Sequence, residues 1–185
     1  LIPELADEVI KEIDKLEDIL AIKPLLEDSP LIHKVGEDVD KAYYEEVLNI
    51  RLYKDLNKDF TIAFSPEHGA SNWPVRNCLK EAGYHVEVVE AQCVPDPNFA
   101  ATKTPNPEEM GAYEEVLKLA KEKDADLILV CDPDGDRMGV GIKHSNGDYV
   151  IFNGNQTGAL LLEYILRARE ELGMKVDHPV MFNTI

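Results

Sequence analysis

The residues of this chain best equipped for chemistry stand together in Asp132-Pro133-Asp134-Gly135-Asp136-Arg137, three carboxylates at alternate positions followed by one guanidinium. Hard divalent cations such as Mg2+ take oxygen ligands. Alternating aspartates on a tight loop can aim several carboxylates at one point, with proline and glycine setting the bend. Without a cation the acids repel one another, and a solvated acidic turn is the plain alternative; the third Asp and the adjoining arginine favour a metal site at Asp132, Asp134 and Asp136. The forked, permanently charged Arg137 suits a phosphate or a bound substrate, with a salt bridge to its own loop as the alternative where no metal is bound. An EF-hand does not fit, because Arg137 stands where such a loop needs its turn glycine and Lys143 where it needs its bidentate glutamate. Asp132 as the nucleophile of an aspartyl-phosphate phosphatase is a weaker fit, since no later lysine and acidic motifs of that class are recognisable.

Two further residues are weaker candidates. His68, in Pro66-Glu67-His68-Gly69-Ala70-Ser71, could bind phosphate or relay a proton, but a structural hydrogen bond that holds its loop is the reading its setting favours. Lys103 could contact a phosphate from a cleft, or be an ordinary surface lysine.

The elements that must position these groups follow from periodicity and turn chemistry. Up to about residue 58 the pattern is helical, with Leu5, Val9, Ile13, Leu16 and Leu20 on one stripe and Tyr43, Val47, Ile50 and Lys54 on another. An acidic linker from Glu27 to Asp40 separates the two, and its acids read as solvated surface. From Phe60 the pattern alternates. Strands are expected over Phe60–Phe64, His85–Glu90 and Ala125–Cys131, and helices from about Trp73, with Asn72 as cap, and after Asn106, with Pro107, Glu108 and Glu109 in its first turn. Met138–Ile142 and Tyr149–Phe152 form a hairpin around Asn146-Gly147. The fold class is α/β, a mixed and partly parallel sheet with helices on both faces, preceded by a helical segment. In such sheets ligands gather at the carboxyl ends of strands, where both the acidic loop and the His68 loop sit. A last helix over about Gln156–Leu172 is stopped by Gly173, and Val180–Ile185 reads as a strand. The domain divisions expected are 1–58, 59–152 and 153–185, the last as the start of a further domain. A start without methionine and an end on an apolar strand suggest a piece excised from a longer protein.

Composition narrows the classes. Of 185 residues, 44% are hydrophobic, enough for a core, and the formal net charge is −17, which argues against nucleic acid or an anionic membrane as partner. Three cysteines, Cys78, Cys93 and Cys131, show no paired zinc spacing and read as reduced thiols of a cytoplasmic protein. No apolar run approaches the roughly 18 residues of a membrane span, and no basic, apolar leader opens the chain.

Taken in order, Pro66-Glu67-His68-Gly69-Ala70, Pro95-Asp96-Pro97-Asn98-Phe99, Pro105-Asn106-Pro107-Glu108-Glu109, Ala125-Asp126-Leu127, Cys131 to Val140 and Gly154-Asn155-Gln156 resemble the blocks of the alpha-D-phosphohexomutase superfamily, the phosphoglucomutases and phosphomannomutases. The likeness runs from about residue 60 to the end; the helical leader matches only loosely the end of that family's first domain. Ala100 departs from the pattern, since proline often follows the phenylalanine matched by Phe99.

The resemblance implies a four-domain enzyme that moves a phosphoryl group between the 1- and 6-positions of a hexose phosphate through a phosphoserine and a sugar bisphosphate. This chain would be the end of domain 1, domain 2 and the beginning of domain 3. It would supply Mg2+ ligands from Asp132, Asp134 and Asp136, with Asp136 and Arg137 near the phosphate or substrate, and its partners would be the sugar phosphate, the bisphosphate and the remaining domains. Ser65 and Ser71 do not stand in the Ser-His-Asn-Pro context of the phosphorylated serine, so no catalytic serine is expected here. The Asp-Pro-Asp and Pro-Asp-Pro-Asn-Phe forms are most similar to the phosphoglucomutase and phosphopentomutase branch. Glucose phosphate is the expected substrate, with a pentose or mannose phosphate as alternative, and a non-catalytic metal-binding module is the alternative of another class.

Overall fold

The computed structural model describes residues 2–182, and the chain divides into two compact units, Leu1–Asp38 and Val39–Ile185. In the first, Pro3 opens helix α1 (Pro3–Ile13), whose Glu4 and Lys11 lie at the ends that suit their charges. The helix stops earlier than the stripe through Leu16 and Leu20 suggests. A short 3-10 turn over Ile19–Ala21 replaces it, because the Asp18 carboxylate accepts the backbone N–H of Leu20 at 2.9 Å. Such local side-chain acceptors compete with the helix ladder. Helix α2 (Glu37–Asn49) begins inside the expected acidic linker and ends before Ile50, where Arg51 Nε donates to the Leu48 carbonyl at 3.0 Å.

The second unit carries a five-stranded sheet built from β1 (Thr61–Ser65), β2 (His85–Val88), β3 (Leu127–Cys131), β4 (Met138–Lys143) and β5 (Tyr149–Phe152). Its order is β2-β1-β3-β4-β5; β1 pairs in parallel with β2 and β3, while β3–β4 and β4–β5 are antiparallel. The α/β expectation with a mixed sheet and helices on both faces therefore holds. Alternation along the strands divides the core. Ala63, Ile128 and Val130 join Tyr113, Val116 and Ala120 on the side of helix α4 (Glu114–Glu122), whereas Phe64, Val88 and Cys131 pack with Val75 of helix α3 (Asn72–Glu81). Two-sided burial explains why β1 and β3 read as continuous apolar runs.

Four local expectations shift. Ser71, not Asn72, precedes α3, and the Asn72 amide instead donates to the Cys93 carbonyl at 2.8 Å. The segment from Asn106 forms a turn, with Glu109 N–H on the Asn106 carbonyl at 2.9 Å, then a 3-10 turn over Met110–Tyr113, and only then α4. The last helix, α5 (Gly154–Glu171), starts earlier than Gln156 because Asn153 and Gln156 form a reciprocal capping box, each side chain taking the other's backbone N–H at 2.9 and 3.0 Å. Val180 to Phe182 are not strand, and residues 183–185 of the expected last strand lie outside the described residues.

Ile128 is fully buried at the centre of the α4 side of the core. Ile128→Ala is expected to cost about 2–5 kcal/mol in urea unfolding, with the m-value retained; a loss below about 1 kcal/mol would contradict this account of the core.

Candidate metal centre

The acidic loop connects β3 to β4 at the carboxyl edge of the parallel strands. Asp132 N–H donates to the Arg137 carbonyl at 3.3 Å and Gly135 N–H to the Asp132 carbonyl at 3.1 Å, closing a turn in which Gly135 takes φ +76°, a conformation glycine adopts freely. Carboxylate oxygens of Asp132, Asp134 and Asp136 consequently lie within 4.8 Å of one another, the one such metal-capable group among the described residues. Asp132 is buried; Asp134 and Asp136 are exposed.

Arg137 is tied to this cluster. Its backbone N–H donates to Asp132 Oδ1 at 3.0 Å, Nε donates to Asp132 Oδ2 at 2.7 Å, and Nη1 reaches Asn106 Oδ1 at 2.8 Å. Burial alone would push the Asp132 carboxyl up, but those donors from Arg137 outweigh it and hold the group below the ordinary carboxylate range. Asp136 moves the other way, raised by a hydrogen bond shared with Asp132 and by the charge of Asp134. The crowded negative charge makes a second ionised carboxylate harder to hold here, and a divalent cation would offset it. Three hard oxygen donors converging from one turn fit a divalent cation such as Mg2+ in ligand type.

The turn Pro66 to Ser71, after β1, forms the wall behind this loop. Ala70 N–H donates to the Pro133 carbonyl at 2.8 Å, and a Cβ on Gly69 would stand 2.5 Å from Pro133 Cα and its carbonyl oxygen, so only glycine permits this approach. His68 is buried here. Its Nδ1 lies 2.8 Å from the Val94 carbonyl, Nε2 accepts the Ala101 N–H at 3.4 Å, and the ring meets Phe99 edge-on, so the side chain ties its turn to the loop after β2. Lys103 ion-pairs with Glu114 on the surface. The sequence pattern did not single out Asn106 as a partner of Arg137, because its cap-like context points to a helix start. Nor did it single out the fully buried Ser65, Glu67 and Gln92, whose signal is burial and not residue type. Arg137 also lines a cleft of about 550 Å³ with Pro107, Glu108, Met138, Asn153 and Asn155.

Known proteins resemble this chain over much of its length. Residues 41–147 match the family model described as phosphoglucomutase/phosphomannomutase, alpha/beta/alpha domain II. A phosphoglucomutase of Staphylococcus aureus is 34% identical over 98% of this chain and 32% of its own length, and a phosphomannomutase of Mycoplasmoides pirum is 33% identical over 88% of this chain and 31% of its own. The chain therefore spans about a third of the length of the curated relatives it matches. A crystal structure of a phosphoglucomutase/phosphomannomutase family protein from Burkholderia thailandensis superposes with a TM-score of 0.57 over 70% of this chain and 26% of its own, at 21% identity, a likeness of fold. Among the described residues no helix is long and apolar enough to cross a membrane.

Two outcomes follow from the geometry. Gly69→Ala should fold yet lose about 1–3 kcal/mol in urea unfolding, since the added methyl meets backbone that cannot rotate away. The depressed Asp132 carboxyl contributes stability that is present above the ordinary carboxylate range and lost as pH falls through its lowered value. Arg137→Met should therefore lower the urea midpoint at neutral pH, and the gap from wild type should narrow on acidification. A gap independent of pH would show that the pair is not what depresses Asp132.

Proposed function

We propose, because this chain belongs to the phosphoglucomutase/phosphomannomutase family, that the intact protein is a Mg2+-dependent phosphosugar mutase, an isomerase that interconverts glucose 1-phosphate and glucose 6-phosphate through a phosphoserine and a sugar bisphosphate. The family is one of enzymes, and the observation that carries the reading is the convergence of three carboxylates at the end of β3 beside an arginine already oriented by two partners. The chain itself would be inactive, contributing the metal loop; the phosphoserine and the sugar-recognition and phosphate-binding loops would come from the rest of the protein. The relative named as a phosphoglucomutase supports glucose phosphate, while the one named as a phosphomannomutase keeps mannose phosphate as the nearest alternative, with a pentose phosphate behind it. Three free thiols support a reducing, cytoplasmic setting.

In this reading Asp132, Asp134 and Asp136 hold the ion, which when bound acts as a Lewis acid on the phosphoryl oxygens. Asp132 has a second task. By binding Arg137 through two donors it aims the guanidinium toward the cleft, where the remaining N–H groups can meet a phosphate of the sugar and restrict its orientation. Asn106 supports the same guanidinium from the far side. His68 and Lys103 serve the site through the loop and the ion pair they make, without touching substrate. The segments 1–58, 59–152 and 153–185 would correspond to the end of one domain, the metal-binding domain and the start of the next.

The test uses the intact protein with Mg2+ and a sugar bisphosphate activator, comparing glucose, mannose and ribose 1-phosphates as substrates. Glucose phosphate turnover is expected to vanish with chelator, return with Mg2+, and fall about 100-fold or more in Asp134→Asn. Faster turnover of mannose or ribose phosphate would reassign the substrate, and no turnover of any would leave a metal-binding module.

A further inference from the structure

Beneath the turn that backs the acidic loop, Ser65, Glu67 and Gln92 form a fully buried polar cluster whose hydrogen atoms can be counted. Gln92 Nε2 donates to the Ala101 carbonyl at 3.0 Å, which turns the amide oxygen toward Ser65. Ser65 Oγ lies 2.7 Å from that oxygen and 3.0 Å from Glu67 Oε1. A hydroxyl has one hydrogen. The amide oxygen has none to give, so the serine hydrogen goes to Gln92, and the contact with Glu67 needs a hydrogen carried by the glutamate.

The other glutamate oxygen agrees. Oε2 is buried without a partner, an arrangement very costly for a carboxylate and far cheaper for the carbonyl oxygen of a neutral acid. Thr102, also beside the carboxyl, has committed its hydroxyl hydrogen to the Thr104 carbonyl at 3.1 Å. Burial pushes the Glu67 carboxyl up, and the Ser65 and Thr102 hydroxyls, the Gln92 amide and the charge of His68, the titratable group acting on it, lie close enough to pull it down without reversing that direction.

The position of this acid is also unusual. Glu67 and His68 are consecutive non-glycine residues with φ of 48° and 60°, a strained pair that persists only where its surroundings hold it. The holding contacts are the Glu67 cluster, the His68 N–H on the Gln92 carbonyl at 3.0 Å and the His68 ring. The turn so held presents Gly69 and Ala70 to Pro133, between Asp132 and Asp134.

We infer that Glu67 is a positioning residue for the metal loop and works as a neutral carboxylic acid, donating through Ser65 to Gln92 so that the strained turn keeps Pro133, and with it the aspartates, in place. The inference rests on the metal reading proposed above. A glutamine at this position can donate from its amide to Ser65 as the acid does; an alanine cannot.

The experiment measures Mn2+ binding by electron paramagnetic resonance in the intact protein, for wild type, Glu67→Gln and Glu67→Ala, with infrared difference spectra of wild type against Glu67→Gln. Glu67→Gln is expected to keep Mn2+ affinity within about twofold of wild type, and Glu67→Ala to weaken it about tenfold or more, as for supports behind metal ligands. The wild-type spectrum should contain a protonated-carboxyl carbonyl band at neutral pH that the Gln variant lacks. Absence of that band, or a Gln variant weakened by tenfold, overturns the neutral acid. If Glu67→Ala does not fold, the Gln affinity and the infrared band still decide. A wild-type protein that binds no Mn2+ sinks the metal reading, and the positioning role falls with it.

Discussion

Like-charge repulsion among three carboxylates on one tight turn is the constraint around which this fold is arranged. Asp132, Asp134 and Asp136 have oxygens within 4.8 Å of one another, and Asp132 has in addition been taken out of water. Left alone, such a loop would open. Arg137 holds it closed by giving both a backbone and a side-chain donor to the buried member. The exposed members remain free to face a ligand. The depressed Asp132 and the raised Asp136 are the two sides of that compromise, one carboxyl held down by a guanidinium and its neighbour pushed up by the carboxylates beside it.

Closure of the loop depends in turn on a wall that does not yield. The wall is a backbone surface, Gly69 and Ala70 against Pro133, and it comes from the parallel partner of the strand that carries the acids. A parallel neighbour puts both strand ends on the same edge, so the turn after β1 and the loop after β3 meet without any long connection. Helices α3 and α4 cover opposite faces and leave that edge open. Below the wall the polar cluster of Ser65, Glu67 and Gln92 makes the turn rigid without adding a charge to a region already crowded with them.

The sheet was legible because its strands are short apolar runs bounded by turn residues, and the hairpin because Asn146-Gly147 announces a positive φ, realised as +88° at Gly147. Element ends were less legible. Asp18, Asn72, Asn106 and Asn153 are all residues that bond to nearby backbone, and which of several available partners each takes is decided by what the fold brings within reach. Asn153 became a cap; Asn72 turned to Cys93, and Asn106 to Arg137.

The chemistry on offer was legible in residue order alone, since alternating aspartates and an adjoining arginine on a short loop are close in space whatever the rest of the chain does. The α/β class was legible there too, through periods set by local backbone geometry. That Asp132 is buried while its neighbours are exposed, that Gly69 abuts Pro133, and that Glu67 stands beside hydroxyls whose hydrogens are already committed was settled by packing. Those contacts join residues from different strands and loops, and burial and hydrogen supply are properties of the assembled packing, for which a single chain segment carries no periodic signal.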